Sequence, residues 1–289
     1  MNLPVDGSSV LDTVGRRGAL SYEFELDGGR TVLTRSSCTS PWHHVPPSRL
    51  DDSGCACIWL VNPSGGLVGG DHMSVEAELH AGTHVLMTSP SANRVYRSLS
   101  EPAVQEVRLS VGPRARLEWV PEMTIPFAGS RFRQSIHVDL ACGATAVLWD
   151  AMASGRVAMR ECWTFASVEN EIRIRTPLGG SVIERYCVVP GRQPESVGLV
   201  GSWDYVASLF VIGDAVEPDV WKHLDMGLAA ILEERPGLVL GAVSTLAAPG
   251  LAIKLVARSA PDLTVTLEAI WAAVRKSLWD LPIPNLRRY

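Results

Sequence analysis

Apolar and polar residues alternate at period two in many short stretches of this chain, and this alternation limits the fold more than any other feature. The stretch LSYEFEL (20–26) places its four apolar residues on one side and its polar residues on the other. Successive side chains of a β-strand point to opposite faces, so a period of two predicts a strand with one buried face. Alternation or a short apolar run predicts further strands at 55–61, 73–80, 83–89, 104–111, 115–120, 132–140, 145–149, 171–176, 181–189, 203–213, 238–247 and 251–259.

Turn signals separate these stretches at short intervals, for example Ala81-Gly82, Gly112-Pro113 and Cys142-Gly143. Short strands joined by regular turns predict a β-rich body with a largely antiparallel or solenoid-like arrangement. We expect the turn at Ala81-Gly82 to close a hairpin between the strands on either side of it.

Two segments of the C-terminal third have helical periodicity instead, at 217–234 and 262–279. Their apolar residues recur every three to four positions, and Pro218 suits the first turn of a helix. We therefore predict two α-helices packed against a large β body. We interpret residues 1–17 as a flexible N-terminal tail and residues 18–289 as a single β-rich domain.

Composition excludes several classes of function. The net charge of −5 argues against binding to nucleic acid or to an anionic membrane surface. The N-terminus does not read as a signal peptide, and no apolar stretch approaches the ~20 residues that span a bilayer. The six cysteines include no CxxC pair, so we expect free thiols in a soluble cytoplasmic protein.

The stretch NPSGGLVGGDHM (62–73) carries an unusual concentration of glycine, at Gly65, Gly66, Gly69 and Gly70. A phosphate-binding loop needs a lysine followed by a hydroxyl residue, or a helix after the glycines, and here an alternating strand follows instead. The sequence therefore predicts a structural turn between two strands and not a nucleotide site.

Asp71 ends this turn, and two interpretations of it stay open. Its carboxylate can accept hydrogen bonds from the amides of the turn, which is the ordinary role of aspartate in a turn and the one that residue chemistry favours. Alternatively, the glycines allow a close backbone approach that leaves the carboxylate facing a cavity, where it handles a cation.

Other metal and nucleophile patterns are weak. His72 and His80 would stand ~26 Å apart on one strand, so the histidines are interpreted as individually paired. Cys55 and Cys57 share one face of a strand and fit a buried core better than a metal site.

Glu184 and Arg185 fall on opposite faces of their strand, which fits a sheet with one solvent-exposed face or a polar channel. The chain has no GxSxG or HExxH motif, and its motifs predict no enzyme.

The order of several segments resembles the urease accessory protein family known as UreD or UreH. They are the glycine–aspartate turn, THVLMTSPSANRVYRS, LEWVPEMTIPF, WDAMASGRVA and the closing IWAAVRKSLWDLPIPNLRRY, and the likeness covers residues 18–289. Three features depart from the family pattern: His72 replaces a basic residue, Arg94 replaces a lysine, and the C-terminal ending is different.

The resemblance implies a urease maturation chaperone that assists nickel insertion and is not itself an enzyme. It implies binding to the urease apoprotein and to accessory protein F, which in turn docks accessory protein G, a GTPase. GTP would then be bound only by that partner, and this chain would hold no permanent cofactor. The family fold, a β-rich solenoid-like body with two helices, agrees with the strand pattern.

The chain is also similar to family members proposed to pass Ni²⁺ through an internal channel. A transit route needs weak, replaceable ligands such as lone carboxylates, because a closed set of cysteine and histidine would hold nickel too tightly. On this hypothesis Asp71 is a staging carboxylate, with Asp150, Glu161 and Glu184 as companions. Two alternatives stay open: a passive scaffold without a channel, and a β-rich hydrolase of unknown substrate.

Overall fold

A computed structural model describes residues 17–190 and 201–286 of the chain. The described residues form 18 β-strands, one short 3₁₀ helix and two α-helices. This confirms the prediction of a mainly β protein with two helices in its C-terminal third. The predicted tail at 1–17 lies almost wholly outside the described residues, and the first strand begins at Arg17. The single-domain interpretation stays a prediction.

The strands run, in chain order, over Arg17–Asp27 (β1), Arg30–Cys38 (β2), Ala56–Trp59 (β3), His72–Leu79 (β4), His84–Thr88 (β5), Asn93–Val95 (β6), Ala103–Val111 (β7), Arg116–Trp119 (β8), Thr124–Pro126 (β9), Arg131–Leu140 (β10), Thr145–Ala153 (β11), Gly155–Arg156 (β12), Glu161–Cys162 (β13), Ser167–Arg175 (β14), Ser181–Val188 (β15), Tyr205–Gly213 (β16), Val239–Thr245 (β17) and Gly250–Ala257 (β18). The 3₁₀ helix covers Val157–Met159, and the α-helices cover Pro218–Glu233 (α1) and Ala260–Trp279 (α2).

Most strands belong to two facing sheets. The first sheet has the order β15-β14-β10-β7-β4-β1-β2, and the second has the order β17-β18-β16-β11-β8-β5-β3. From β4 to β14 the main strands of the chain alternate between the two sheets, and the neighbouring strands of each sheet in this region are parallel. This is the solenoid-like arrangement, and antiparallel pairs occur toward the ends of the sheets.

The hairpin predicted at Ala81-Gly82 is wrong. This turn carries the chain from β4 in the first sheet to β5 in the second, and β4 pairs with β1 and β7 instead. Alternation identifies the buried face of a strand, but it does not identify the strand that pairs with it. The edge strand β2 was also missed, because most of its side chains are exposed and apolar alternation is weak along it.

The central strands of the second sheet, β5, β8, β11 and β16, are largely buried on both faces. Its inner face packs against the first sheet through residues such as Leu117, Trp119 and Leu148. Its outer face packs against α1 and α2 through a second apolar cluster that includes Val147 and Leu209. Every residue of β11 is consequently buried, which explains why this strand is apolar on both faces, with Thr145 and Asp150 as its only polar residues.

The helices form as their sequences predict. α2 begins after Ser259, whose hydroxyl accepts a hydrogen bond from the Asp262 amide at 3.2 Å, and proline occupies the first turn of both helices. Among the described residues, no helix combines the length and the apolar character that a membrane span needs.

Candidate functional site

Three amide side chains lie side by side on the inner face of the first sheet. Gln134 on β10 stands in register with Gln105 on β7 and with Asn170 on β14. Gln105 Nε2 donates to Gln134 Oε1 at 3.2 Å, and Gln134 Nε2 donates to Asn170 Oδ1 at 3.1 Å. Parallel strands place equal register positions beside one another, so the three residues form a continuous row that we call the amide ladder.

Asp150 on β11 faces the amide ladder from the second sheet and is 9% exposed. Its Oδ1 accepts a hydrogen bond from Gln134 Nε2 at 2.8 Å. Its Oδ2 accepts from Asn170 Nδ2 at 3.0 Å and from the Tyr186 hydroxyl at 3.3 Å. All three donors are neutral, so they orient the carboxylate without cancelling its charge.

The pKa of Asp150 is raised to about 6, chiefly by burial, with a smaller contribution from the charge of Glu184, whereas hydrogen bonds from Gln134 and Tyr186 oppose the shift. The carboxyl group is therefore mostly ionised at neutral pH and takes up a proton just below it.

Glu184 on β15 is the second carboxylate of this region. The Ser208 hydroxyl donates to its Oε1 at 2.6 Å, and Lys254 Nζ lies 2.8 Å from its Oε2. The Glu184 side chain is 8% exposed, whereas that of Lys254 is 66% exposed. Arg185 lies on the opposite, outer face of β15, as the alternation predicts.

Two cavities adjoin at Asp150. The smaller one has a volume of about 100 Å³, and the glycine turn and the amide ladder contribute Gly66 and Gln134 to its wall. The larger one has a volume of about 830 Å³, and its wall includes Glu184 and Lys254. Asp150 belongs to the walls of both cavities. A carboxylate thus lies in the wall that the smaller cavity shares with the larger one.

The Asp71 side chain caps the glycine turn. Its Oδ2 accepts a hydrogen bond from the Val68 amide at 2.8 Å, and its own amide donates to Val68 O at 3.0 Å. Among the described residues that line the two cavities, Asp71 is absent. Asp71 therefore has the turn-capping contacts that residue chemistry favours. A staging role for Asp71 in nickel transit stays a prediction.

The glycine turn also needs glycine for steric reasons. Gly66 has a φ of +154°, and a Cβ atom at this position would lie 2.4 Å from Arg94 O. Gly65 and Gly70 adopt positive φ values of 79° and 89°. Gly65 and Gly66 both form part of the wall of the smaller cavity, so the turn shapes that space.

Glu161 lies on the short strand β13 and is engaged in local contacts. Its Oε1 accepts a hydrogen bond from the Ala128 amide at 2.7 Å, and Arg156 pairs with both of its carboxylate oxygens. The hydrogen bonds from Arg156 hold the pKa of Glu161 below its usual range. Of the four carboxylates that sequence reasoning selected, the structure brings Asp150 and Glu184 together, and it places Glu161 and Asp71 outside the walls of the two cavities.

Sequence reasoning missed the amide ladder, although a signal for it exists. In β10 the inward positions carry Phe132, Gln134, Ile136 and Val138, so one polar amide interrupts an apolar face. The same interruption occurs in β7 and in β14. An amide at an apolar position in three successive inner strands of one sheet predicts a polar row between the sheets.

A second buried polar cluster lies on the other face of the second sheet. Glu118 on β8 is wholly buried, and Arg275 Nη1 on α2 donates to its two oxygens at 2.9 and 3.2 Å. Trp271 Nε1 donates to Glu118 Oε2 at 2.5 Å, and His84 Nε2 lies 2.7 Å from Oε1. Arg275 Nη2 also donates to Asp51 at 3.1 Å. We call this group the Glu118 cluster.

The Glu118 cluster contains metal-ligand types but is closed to a metal ion. Ligand atoms of Cys55, His84 and Glu118 lie within 4.8 Å of one another. However, the Glu118 oxygens already accept hydrogen bonds, and Arg275 supplies the positive charge that balances them. Burial raises the pKa of the Cys55 thiol well above its ordinary value, which disfavours the thiolate that a metal requires. The cluster therefore fastens α2 to the sheet.

The exposed histidines pair individually with carboxylates. His80 Nε2 lies 3.0 Å from Glu23 Oε1, and His72 Nε2 lies 3.6 Å from Glu106 Oε2. The two histidines lie at opposite ends of β4, because His72 is its first residue and His80 follows its last residue. The structure thus agrees with the interpretation of these histidines as individually paired.

Comparison with known proteins identifies the family. The sequence profile of the UreD urease accessory protein family matches residues 16–288. A protein named urease accessory protein UreD from Deinococcus radiodurans is 36% identical over 281 residues, which is 96% of this chain and 97% of that protein. Proteins of the same name from Herpetosiphon aurantiacus and Cupriavidus necator are 31% and 28% identical, over 94% and 97% of this chain and 95% and 96% of their own lengths. The chain therefore belongs to the UreD family of urease accessory proteins.

Proposed function

We propose that this protein is a non-enzymatic maturation factor for urease and that Ni²⁺ crosses it through the two cavities that adjoin at Asp150. One observation carries the proposal: Asp150, a buried carboxylate held by neutral donors, belongs to the walls of both cavities. On this proposal the smaller cavity and the larger cavity are two parts of one passage, and Asp150 and Glu184 are successive stations for the cation.

The chemistry of these donors supports transit over storage. Carboxylate, hydroxyl and amide oxygens exchange with water readily and hold a first-row divalent ion less firmly than thiolate or imidazole does. Among the described residues that line the two cavities, there is neither a cysteine nor a histidine. An ion that meets Asp150 and Glu184 in turn is therefore attracted into the passage without being trapped there.

The partners follow from the family. The names of the related proteins connect them with urease, and the resemblance implies the urease apoprotein and accessory proteins F and G as partners in the cytoplasm. The sequence contains no phosphate-binding loop of the GTPase type, which supports the assignment of GTP hydrolysis to accessory protein G. On this proposal the present chain supplies a route and the partners supply nickel and energy.

The experiment that tests this function is co-expression of the tagged chain with the urease subunits and accessory proteins F and G from the same source. Omitting the chain should abolish urease activation, and Asp150→Asn should lower activation at limiting nickel by tenfold or more. Asp139→Asn is the matched control, because Asp139 is an exposed carboxylate that pairs with Arg175 on the outer surface. The partners should still copurify with the Asp150 variant.

Full activation by Asp150→Asn would exclude the passage and favour a passive scaffold with nickel travelling outside the chain.

Asp71→Ala tests the turn separately. Because Asp71 caps the turn that shapes the smaller cavity, we expect this variant to fold, to bind its partners and to activate urease poorly. Urease activity equal to the wild type would remove Asp71 from the route.

A further inference from the structure

We propose that Lys254 acts as a tethered competitor of the cation in transit, with its ammonium group occupying the position on Glu184 that a divalent ion takes. This inference rests on the proposed passage and adds a control element to it. It assigns to Glu184, together with Ser208 and Asp150, a transient site for a hydrated first-row divalent cation such as Ni²⁺. The lysine keeps that site weak and vacant between ions.

The first argument is the state of the Glu184 carboxylate. Its Oε1 is taken by the Ser208 hydroxyl at 2.6 Å. Its Oε2 is buried and has no hydrogen bond among the described residues, although Lys254 Nζ lies only 2.8 Å from it. The lysine contact is thus an ion pair by distance without hydrogen-bond geometry. A buried carboxylate oxygen held only by an exposed ammonium is a position that accepts another cation.

The second argument is the difference in mobility between the two partners. The Glu184 side chain is 8% exposed and belongs to a strand with neighbours on its inner face, so it stays in place. The Lys254 side chain is 66% exposed and has a flexible stem of four carbons. An ion pair with one partner in solvent contributes little free energy, so the ammonium can swing away when a stronger cation arrives.

The third argument is charge. A divalent ion interacts with a carboxylate about twice as strongly as an ammonium group at the same distance. Asp150 adds a second negative charge in the wall of the same cavity. Na⁺ and K⁺ carry a single positive charge, as the lysine does, so charge gives them no stronger attraction to the carboxylate. The competitor therefore discriminates by charge, which admits divalent ions and leaves monovalent ions outside.

The test is equilibrium dialysis of the purified full-length chain against radioactive Ni²⁺. In Lys254→Met the stem keeps its length and loses its charge, so the dissociation constant for Ni²⁺ should fall by about two- to fivefold. The matched control is Lys222→Met on α1, where an exposed lysine pairs with Asp219 away from the cavities, and its affinity should equal that of the wild type. The double variant Glu184→Gln/Lys254→Met should not show the increase in Ni²⁺ affinity that is expected for Lys254→Met.

An unchanged affinity of Lys254→Met would overturn the inference, as would a gain that persists in the double variant. A thermal melting curve of each variant establishes that it is folded before dialysis. The two proposals fail separately. If Asp150→Asn blocks urease activation while Lys254→Met binds Ni²⁺ like the wild type, only the competitor is excluded. If Asp150→Asn activates urease fully, the passage is excluded whatever the affinity of Lys254→Met.

Discussion

Two buried carboxylates, Glu118 and Asp150, occupy opposite faces of the same sheet and have opposite surroundings. Glu118 faces α2, and the guanidinium group of Arg275 pairs with it at 2.9 Å. Asp150 faces the first sheet, where two amides and a tyrosine hydroxyl donate to it. Among the described residues, no lysine or arginine forms an ion pair with Asp150. The first carboxylate is neutralised and enclosed, and the second keeps its charge beside two cavities.

This difference shows how the same functional group serves structure or transport. A guanidinium group that is itself buried cannot leave, so the Glu118 cluster joins α2 permanently to the sheet. Neutral donors fix the geometry of Asp150 and leave a negative potential that a cation can meet. Glu184 lies between these cases, because its partner Lys254 is charged but mostly exposed.

The largest expected effect is on the free energy of unfolding, at the enclosed pair of Glu118 and Arg275. Arg275→Met should lower the free energy of unfolding by about 3–5 kcal/mol, because it leaves the buried Glu118 carboxylate without its guanidinium partner. Chemical denaturation at neutral pH measures this loss. In the control variant Glu118→Leu/Arg275→Met both charges are removed, and most of the stability should return. A loss below about 1 kcal/mol in the single variant would show that Glu118 is not an ionised partner of Arg275.

The next effect is the pH dependence of the free energy of unfolding, which Asp150 should cause. The pKa of Asp150 is raised in the folded protein from 3.8 to about 6, so folding favours the protonated carboxyl group. This contribution to stability is fully present below pH 3.8 and is lost as the pH rises through 6. Relative to Asp150→Asn, the wild type should therefore lose roughly 2.5 kcal/mol of unfolding free energy between pH 4 and pH 7.

Denaturation curves of both proteins across that pH range provide the measurement. Asp139→Asn serves as the control, because it makes the same substitution at an exposed carboxylate on the outer surface, outside the walls of both cavities. A constant difference between the wild type and Asp150→Asn at every pH would mean that Asp150 titrates normally, and the contrast with Glu118 would then rest on geometry alone.

A smaller effect is expected at the wall of the smaller cavity. Gly66→Ala should cost about 2 kcal/mol of unfolding free energy, because the new Cβ would meet Arg94 O and the backbone would be strained. Gly179→Ala is the control, since Gly179 also has a positive φ but no heavy atom lies within 4 Å of its Cβ position. Thermal and chemical unfolding compare the two. Equal losses would show that the turn can move away from Arg94.

The smallest expected effect isolates one donor of Asp150. Tyr186→Phe removes a hydrogen bond of 3.3 Å and should lower the free energy of unfolding by about 0.5–1 kcal/mol at neutral pH. It should also raise the pKa of Asp150 further, because the hydroxyl favours the charged carboxylate. The midpoint of the pH dependence of stability measures this shift. Tyr96→Phe, which removes a contact with Gly65 O, should leave the midpoint unchanged.

Much of the secondary structure could be predicted because it depends on local periodicity. The alternation in β1 and the helical spacing in α2 are visible in short windows of sequence. Strand β2 lacked that signal because it is an exposed edge. The hairpin at Ala81-Gly82 failed for another reason: a turn sequence does not state whether the chain returns to the same sheet or crosses to the facing one.

The candidate site could be predicted only in part. The channel hypothesis made Asp71 the staging carboxylate and gave it Asp150, Glu161 and Glu184 as companions. The structure places Asp150 and Glu184 in the wall of one cavity, and Asp71 and Glu161 outside the walls of both cavities. The amide ladder depends on the register of three strands, and Lys254 reaches Glu184 only because β18 lies under the edge of the first sheet. Glu118 and Arg275 are 157 residues apart, and neither has a sequence feature that indicates the other.

The sequence by itself determined the β-rich class, the two helices, the glycine turn and the family, because each of these depends on local spacing or on motifs that survive in the chain. Only the tertiary structure decided which polar residues meet. Two sheets wound from alternating strands bring Gln134, Asp150 and Glu184 to the two cavities that adjoin at Asp150, and they place Glu118 on the opposite face of the sheet that carries Asp150. The physical reason is that burial and pairing are properties of the assembled layers, and they decide whether a carboxylate is enclosed by a guanidinium group or left charged beside a cavity.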